Sequence, residues 1–127
     1  MPAVFNTQIS PMVSNPNPYP DGQVVDPTVT TLAFAGTTQA TAAPIVNDVT
    51  IVSNNTAANG GILPVPTMGQ TFYVSPSLVT NAPLVYPPVG GSINFGTVNA
   101  GVAITARKVA QFIAIDSVGN YILLQGA

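Results

Sequence analysis

Residues 107–125 read RKVAQFIAIDSVGNYILLQ, and the choice between helix and strand in this stretch decides the fold class. Val109, Phe112 and Ile113 fall at i, i+3 and i+4, the spacing of one helix face. The same stretch also alternates, with Val109, Gln111, Ile113 and Ile115 on one side and Ala110, Phe112 and Ala114 on the other, which is the two-residue period of a strand. Periodicity is satisfied both ways, so the residues after Ile115 break the tie. DSVGN at Asp116–Asn120 supplies a glycine-containing turn, and YILLQ after it is an aromatic and aliphatic strand sequence. A type I turn closing with Gly119 in the left-handed αL region and a bulge joins two antiparallel strands. The reading is a terminal β-hairpin, entered through Arg107 and Lys108, the chain's only cationic pair, and left through Asp116.

Upstream, the chain from Thr28 onward is a series of short runs rich in Val, Ile, Thr, Phe and Tyr, interrupted by Gly, Pro and Asn. Strands are predicted at 28–34, 49–53, 70–74, 92–97, 101–105, 109–115 and 121–125. SNNTAANGG at Ser53–Gly61 reads as a turn-forming loop, 76–91 as irregular, and YPPVGG at Tyr86–Gly91 as unable to continue a central strand. The Asn54-Asn55-Thr56 sequon reads as accidental without a secretory route. No tandem repeat is visible in the sequence.

The segment 1–27 is different. It holds six of the 13 prolines, and each fixes its own φ and turns its predecessor away from helix. It also carries Phe5, Ile9, Met12, Val13, Tyr19, Val24 and Val25, more apolar content than a solvated tail needs. This is the pattern of an extended arm that docks, able to reach roughly 80 to 95 Å when stretched. The predicted fold is therefore all-β: a small antiparallel β-sandwich or barrel over 28–127, preceded by an extended proline-rich N-terminal arm over 1–27.

Composition narrows the function by exclusion. The 127 residues suffice for one domain with its own core. Only 5% of them are charged, where about a quarter is usual. Asp21, Asp26, Asp48 and Asp116 against Arg107 and Lys108 give a net charge of −2, and no basic patch is present to neutralise a run of phosphates, so no nucleic-acid partner is expected. With no His, Cys or Glu, the usual zinc ligands, neutral-pH base and thiol nucleophile are missing, and Ser75 and Ser77 have no base to activate them. No enzyme activity, cofactor or metal site is expected; Asp21 before Gly22 and Asp26 before Pro27 read as turn residues. The glycine-rich pieces lack phosphate-loop spacing. The N-terminus lacks a signal-peptide pattern and no apolar run approaches membrane-spanning length, so neither secretion nor a membrane partner is expected.

Tyr19, Tyr73, Tyr86 and Tyr121 admit a contact surface or a place within the sheets. Arg107 and Lys108 admit a solvated strand end or an ion-pairing contact, with Arg suited to a carboxylate by its planar fork.

The C-terminal stretch PPVGGSINFGTVNAGVAITARKVAQFIAIDSVGNYILLQG, at 87–126, resembles the small β-rich decoration, cement or head-fibre proteins of tailed-phage capsids. The likeness lies in a Gly- and Asn-rich strand series, a basic pair, an apolar strand, an Asp-Ser-x-Gly-Asn turn and a final aromatic-aliphatic strand. What it implies is a virion structural protein, made in the host cytoplasm and carried on the capsid surface. Such a protein binds the major capsid protein, often as a homotrimer, and cements neighbouring subunits. Phe5, Ile9, Met12, Tyr19, Arg107 and Lys108 are then the expected capsid or subunit contacts. A tail or baseplate fibre component, or a carbohydrate-binding adhesion module using the tyrosines, are the alternatives.

Overall fold

A computed structural model describes residues 28–53, 59–76 and 82–125. The protein is nearly all-β. Among the described residues, nine strands make two mixed sheets, and the one helical element is a single 3-10 turn at Gln39–Thr41. The strands are β1 Val29–Leu32, β2 Ala43–Pro44, β3 Val49–Val52, β4 Gly60–Ile62, β5 Thr71–Ser75, β6 Leu84–Tyr86, β7 Val102–Ala103, β8 Ala110–Ala114 and β9 Tyr121–Gln125. One sheet runs β1-β3-β5-β8-β9 and the other β2-β4-β6-β7.

The first six strands alternate between the sheets, so the chain winds. β1, β3 and β5 pair in parallel on one side, and β2, β4 and β6 pair in parallel on the other. Val29 lies beside Val49 and Val49 beside Tyr73, while Ala43 lies beside Gly61 and Gly60 beside Leu84. The shift in numbering per coil is smallest between Ala43 and Gly61, at 18, and reaches 24 between Val49 and Tyr73. This winding corrects the expectation of a wholly antiparallel fold. A parallel pair needs a long crossover, and each crossover contains a strand of the opposite sheet. The end of the chain reverses: β7 runs antiparallel to β6, β8 to β5 and β9 to β8.

The predicted terminal hairpin is present, with Ala110 opposite Gln125 and Ala114 opposite Tyr121. Its buried face is the Ala110, Phe112, Ala114 side. The turn differs from expectation. Gly119 sits at φ 135, outside αL, and the loop is built around Asp116, whose Oδ1 accepts from the backbone N–H of Val118, Gly119 and Asn120. One short side chain there replaces the hydrogen bonds that a tight turn makes with its own backbone.

β1, β3, β5 and β7 coincide with predicted strands, whereas β2, β4 and β6 fall where no strand is predicted. The stretch 92–97 is not a strand; Ile93 makes one bridge to Tyr121, and Asn94 and Phe95 turn away at positive φ. The three unpredicted strands are the parallel core of the second sheet, and their composition conceals them. β4 is glycine-rich because a Cβ on Gly61 would stand 2.5 Å from Cζ of Phe34, so the ring of Phe34 occupies the space a side chain would need.

Both sheets contribute to one core, including Phe34, Ile45, Val52, Leu63, Phe72, Val85, Ile104, Phe112 and Tyr121. Phe112 lies between Phe72 on β5 and Leu123 on β9 in the strand register. Full burial of such a ring contributes about 1.5–3 kcal/mol. Tyr121 meets Phe72 edge-on at 6.2 Å between centroids and donates its hydroxyl to the Pro64 carbonyl at 2.7 Å. Burial raises the Tyr121 phenol above its ordinary pKa, so it stays a neutral donor. Thr50 on β3 is also fully buried, and its Oγ1 has no hydrogen-bond partner.

Candidate interaction surface

The connection from β6 to β7, residues 87–101, is long and has no regular structure, yet it is held at many points. Pro87 and Pro88 end β6 and are buried. Gly91 N–H donates to the Pro88 carbonyl at 2.9 Å and Asn99 N–H to the Gly91 carbonyl at 2.8 Å. The Asn99 side-chain oxygen accepts from Gly90 N–H at 2.7 Å and from Gln39 Nε2 at 3.3 Å, while the same Gln39 nitrogen reaches the Pro87 carbonyl at 2.8 Å. The loop is thereby tied to itself and to the 3-10 turn.

Its other attachment is to the edge of β9. Tyr121 N–H donates to the Ser92 carbonyl at 2.9 Å and Asn94 N–H to the Tyr121 carbonyl at 2.8 Å. The Asn94 side chain then accepts from Leu123 N–H at 2.8 Å. Ser92 Oγ and the Asn120 amide oxygen are bonded at 2.9 Å. Residues 92–94 therefore cover backbone groups that an edge strand leaves open.

Three apolar side chains stand out from this fastened loop: Val89 is 77% exposed, Phe95 79% and Val98 56%. Val89 and Val98 flank the Gly90–Asn99 bond, and Phe95 has φ 58. Asn94 and Asn99, at φ 54 and 67, are residue types that tolerate αL. A phenylalanine there is strained, at a cost of roughly 1–3 kcal/mol. The surrounding hydrogen bonds hold it in that conformation, and its ring stays in water. Rigid display of an aromatic and two valines is the chemistry of a contact surface, because little ordering entropy remains to be lost on binding.

Arg107 and Lys108 lie in the turn between β7 and β8, both exposed, with Arg107 at φ 64. Arg107 N–H donates to the Pro76 carbonyl at 2.9 Å. The corner is clamped by Gln125, which accepts from Thr105 N–H at 2.7 Å and donates to the carbonyls of Lys108 at 2.9 Å and Thr105 at 3.3 Å. Sequence reasoning misses Gln125, because nothing in YILLQ marks its terminal amide as a clamp. The two cationic ends have no ion-pair partner among the described residues. β9 thus fastens both places, through Tyr121 and Leu123 at the apolar loop and Gln125 at the cationic corner.

Of the other expected contacts, Phe5, Ile9, Met12 and Tyr19 lie outside the described residues, as do the sequon and the remainder of the arm. Among the other tyrosines, Tyr86 and Tyr121 are buried, and the Tyr86 hydroxyl donates to the Thr37 carbonyl at 2.9 Å. Tyr73 is exposed on β5 beside Gln111. Asp116 is an internal acceptor: the Asn120 side-chain amide, followed by the backbone N–H groups around it, lowers its carboxyl pKa to about 2. The apolar loop itself escapes sequence reasoning because 92–97 reads as a strand, in which Phe95 would pack inward or sideways.

No protein-family model, curated protein or solved structure matches this chain.

Proposed function

We propose that this chain is a non-enzymatic structural protein of a phage particle, made in the host cytoplasm and bound to the outer surface of an icosahedral capsid as a trimer. Val89, Phe95 and Val98 are its contact side chains, with Arg107 and Lys108 as a charged contact nearby in sequence. The observation that carries this reading is the strained, exposed Phe95 on a loop tied to β9. Strain of this kind persists where the exposed side chain has a use. The scarcity of charge agrees with a protein that works packed against copies and partners. A small β body seated many times on a symmetric shell gains apparent affinity from multiplicity. The finer architecture, two sheets stacked as a small sandwich after an extended arm, belongs to the same proposal.

A carbohydrate-binding role has less to rest on, since the hydroxyls of Tyr86 and Tyr121 are already bonded to backbone carbonyls inside the protein. The deciding experiment is quantitative protein analysis of purified particles. Hundreds of copies per virion support attachment to the capsid. A few copies assign the chain to the tail or baseplate instead, and absence from particles overturns the reading. Sedimentation of the isolated protein tests the trimer, which a stable monomer at micromolar concentration overturns.

A further inference from the structure

The two sheets differ in what lies over their outward faces. On β6 of the second sheet Val85 points into the core, so strand alternation turns Tyr86 outward, and the chain itself covers it. The Tyr86 hydroxyl donates to the Thr37 carbonyl at 2.9 Å, and a Cβ on either Gly60 or Gly101 would stand 2.7 Å from its ring. On the first sheet the strand register sets Val29, Val49, Tyr73, Gln111 and Leu124 side by side across all five strands, on the face turned away from the core. Among the described residues none covers this row: Val29 is 60% exposed, Leu124 51% and the central Tyr73 39%. Ile51, Ile113 and Ile122 lie on the same face by alternation. The Gln111 amide donates to the Tyr73 hydroxyl at 3.4 Å, so the polar atoms at the centre of the row bond to each other. None of the five strands carries a charged residue. A sheet with water on one side ordinarily alternates apolar-in and polar-out, whereas this one is largely apolar on both sides.

We infer that this face is buried against the same face of a second copy, in a two-fold pair whose strands run in opposite directions. Charge selects both the occupant and the orientation. An uncharged apolar face is complementary to itself, and sheets stack face to face at roughly 10 Å with their strands nearly aligned. The charges of the described residues stand at its two ends. Asp48 immediately precedes β3 and Asp116 follows β8, while Arg107 and Lys108 precede β8. β3 runs with β5 and β8 runs against it, so both acids lie at one end of the sheet and both cations at the other. A two-fold axis lying across the strands brings the acidic end of each copy to the cationic end of its partner, whereas an axis along the strands sets like ends together. Area sets the strength. Five strands about 4.8 Å apart and about 17 Å long give a footprint of roughly 350 Å². That matches the largest functional apolar patches of single domains, roughly 300–600 Å², and falls below the roughly 800 Å² per partner of a standard stable interface. The pair is therefore reversible, with Tyr73 as its central aromatic anchor.

The inference does not rest on the capsid reading, since it uses this sheet face and not the loop around Phe95. Sedimentation equilibrium of the full-length protein, from low micromolar to millimolar concentration, tests it. The mass should double as concentration rises, whether the associating unit is one chain or the trimer proposed above. Tyr73→Lys and Leu124→Lys, both at exposed positions, should weaken the association about tenfold or more while the thermal midpoint of the dilute protein stays level. Val89→Lys, on the apolar loop, should leave the association unchanged. Asp48→Lys should weaken it at low salt, and adding Arg107→Asp and Lys108→Asp to the same chain should restore it. A mass that does not grow with concentration overturns the inference, including the case in which residues 1–27 occupy the face of their own chain. Association that survives both lysine variants also overturns it, and a charge swap that fails to restore pairing overturns the two-fold orientation.

Discussion

Gly91 and Gly119 pack backbone against backbone: a Cβ on Gly91 would fall inside contact distance of the Gly119 carbonyl oxygen, and one on Gly119 would strike the Pro88 ring. This contact seats the apolar loop on the hairpin turn that follows β8. Alanine at Gly91 forces the two segments apart, and overpacking of this kind costs about 1–3 kcal/mol. At Gly119 the positive φ of 135 adds backbone strain. Both variants should lower the thermal midpoint by several degrees, with Gly119→Ala at least as damaging as Gly91→Ala. Unchanged midpoints would show that the two backbones are not in contact.

Asp116 should make the protein acid-sensitive. Its folded carboxyl titrates at about 2, below the ordinary value of 3.8. A depressed acid contributes stability that is fully present above about pH 5 and is lost as pH falls from about 4 toward 2. Thermal midpoints should therefore be level from neutral pH down to about 5 and fall below about 4. Asp116→Asn should be less stable at pH 7, because its amide cannot accept at both oxygen positions, and should lose part of the acid slope. An identical slope in that variant assigns the acid sensitivity to other carboxylates.

Thr50→Val should hold or raise stability. The Thr50 hydroxyl is buried without a partner. Valine has the same shape and removes an unsatisfied group that costs about 1–3 kcal/mol. Denaturant titration at constant m-value reads the difference, and a loss of stability would mean the hydroxyl has a partner.

Phe95→Gly should separate binding from folding. It relieves the positive φ and removes a ring that buries little, so the thermal midpoint should stay level or rise. Attachment to purified capsids should weaken, because an aromatic anchor is gone. Capsid binding equal to that of the unaltered protein removes Phe95 from the contact surface.

Arg107→Glu with Lys108→Glu should leave stability within about 0.5 kcal/mol, since both side chains are exposed. Capsid binding of this variant at several salt concentrations then reads whether the pair meets a carboxylate. An unchanged affinity and salt slope would return both residues to a solvated turn.

Part of the fold is legible in the amino-acid order because the information is local. The hairpin of β8 and β9 follows from alternation interrupted by Asp116–Asn120, and only neighbouring residues are needed to form it. The runs that form β1 and β3 are Val- and Thr-rich, and that of β5 adds Phe and Tyr, all residue types that favour extended backbone. The all-β class follows from the same local order, short extended runs punctuated by Gly, Pro and Asn, and the lack of His, Cys and Glu is read from composition alone.

Tertiary structure decided the rest. Parallel winding leaves no trace in a chain whose coils differ in length and share no repeated sequence, since each strand is paired by partners 18 to 24 positions away. β4 is strand because Phe34 and Tyr86 press on its glycines, and glycine carries no strand preference of its own. Phe95 points outward because Asn94 and Asn99 are fastened to β9, Gly90 and Gln39, through contacts as distant in sequence as Gln39 and Asn99. The sequence by itself determined which segments favour extended backbone; long-range packing determined their partners, their direction and which apolar side chains remain in water.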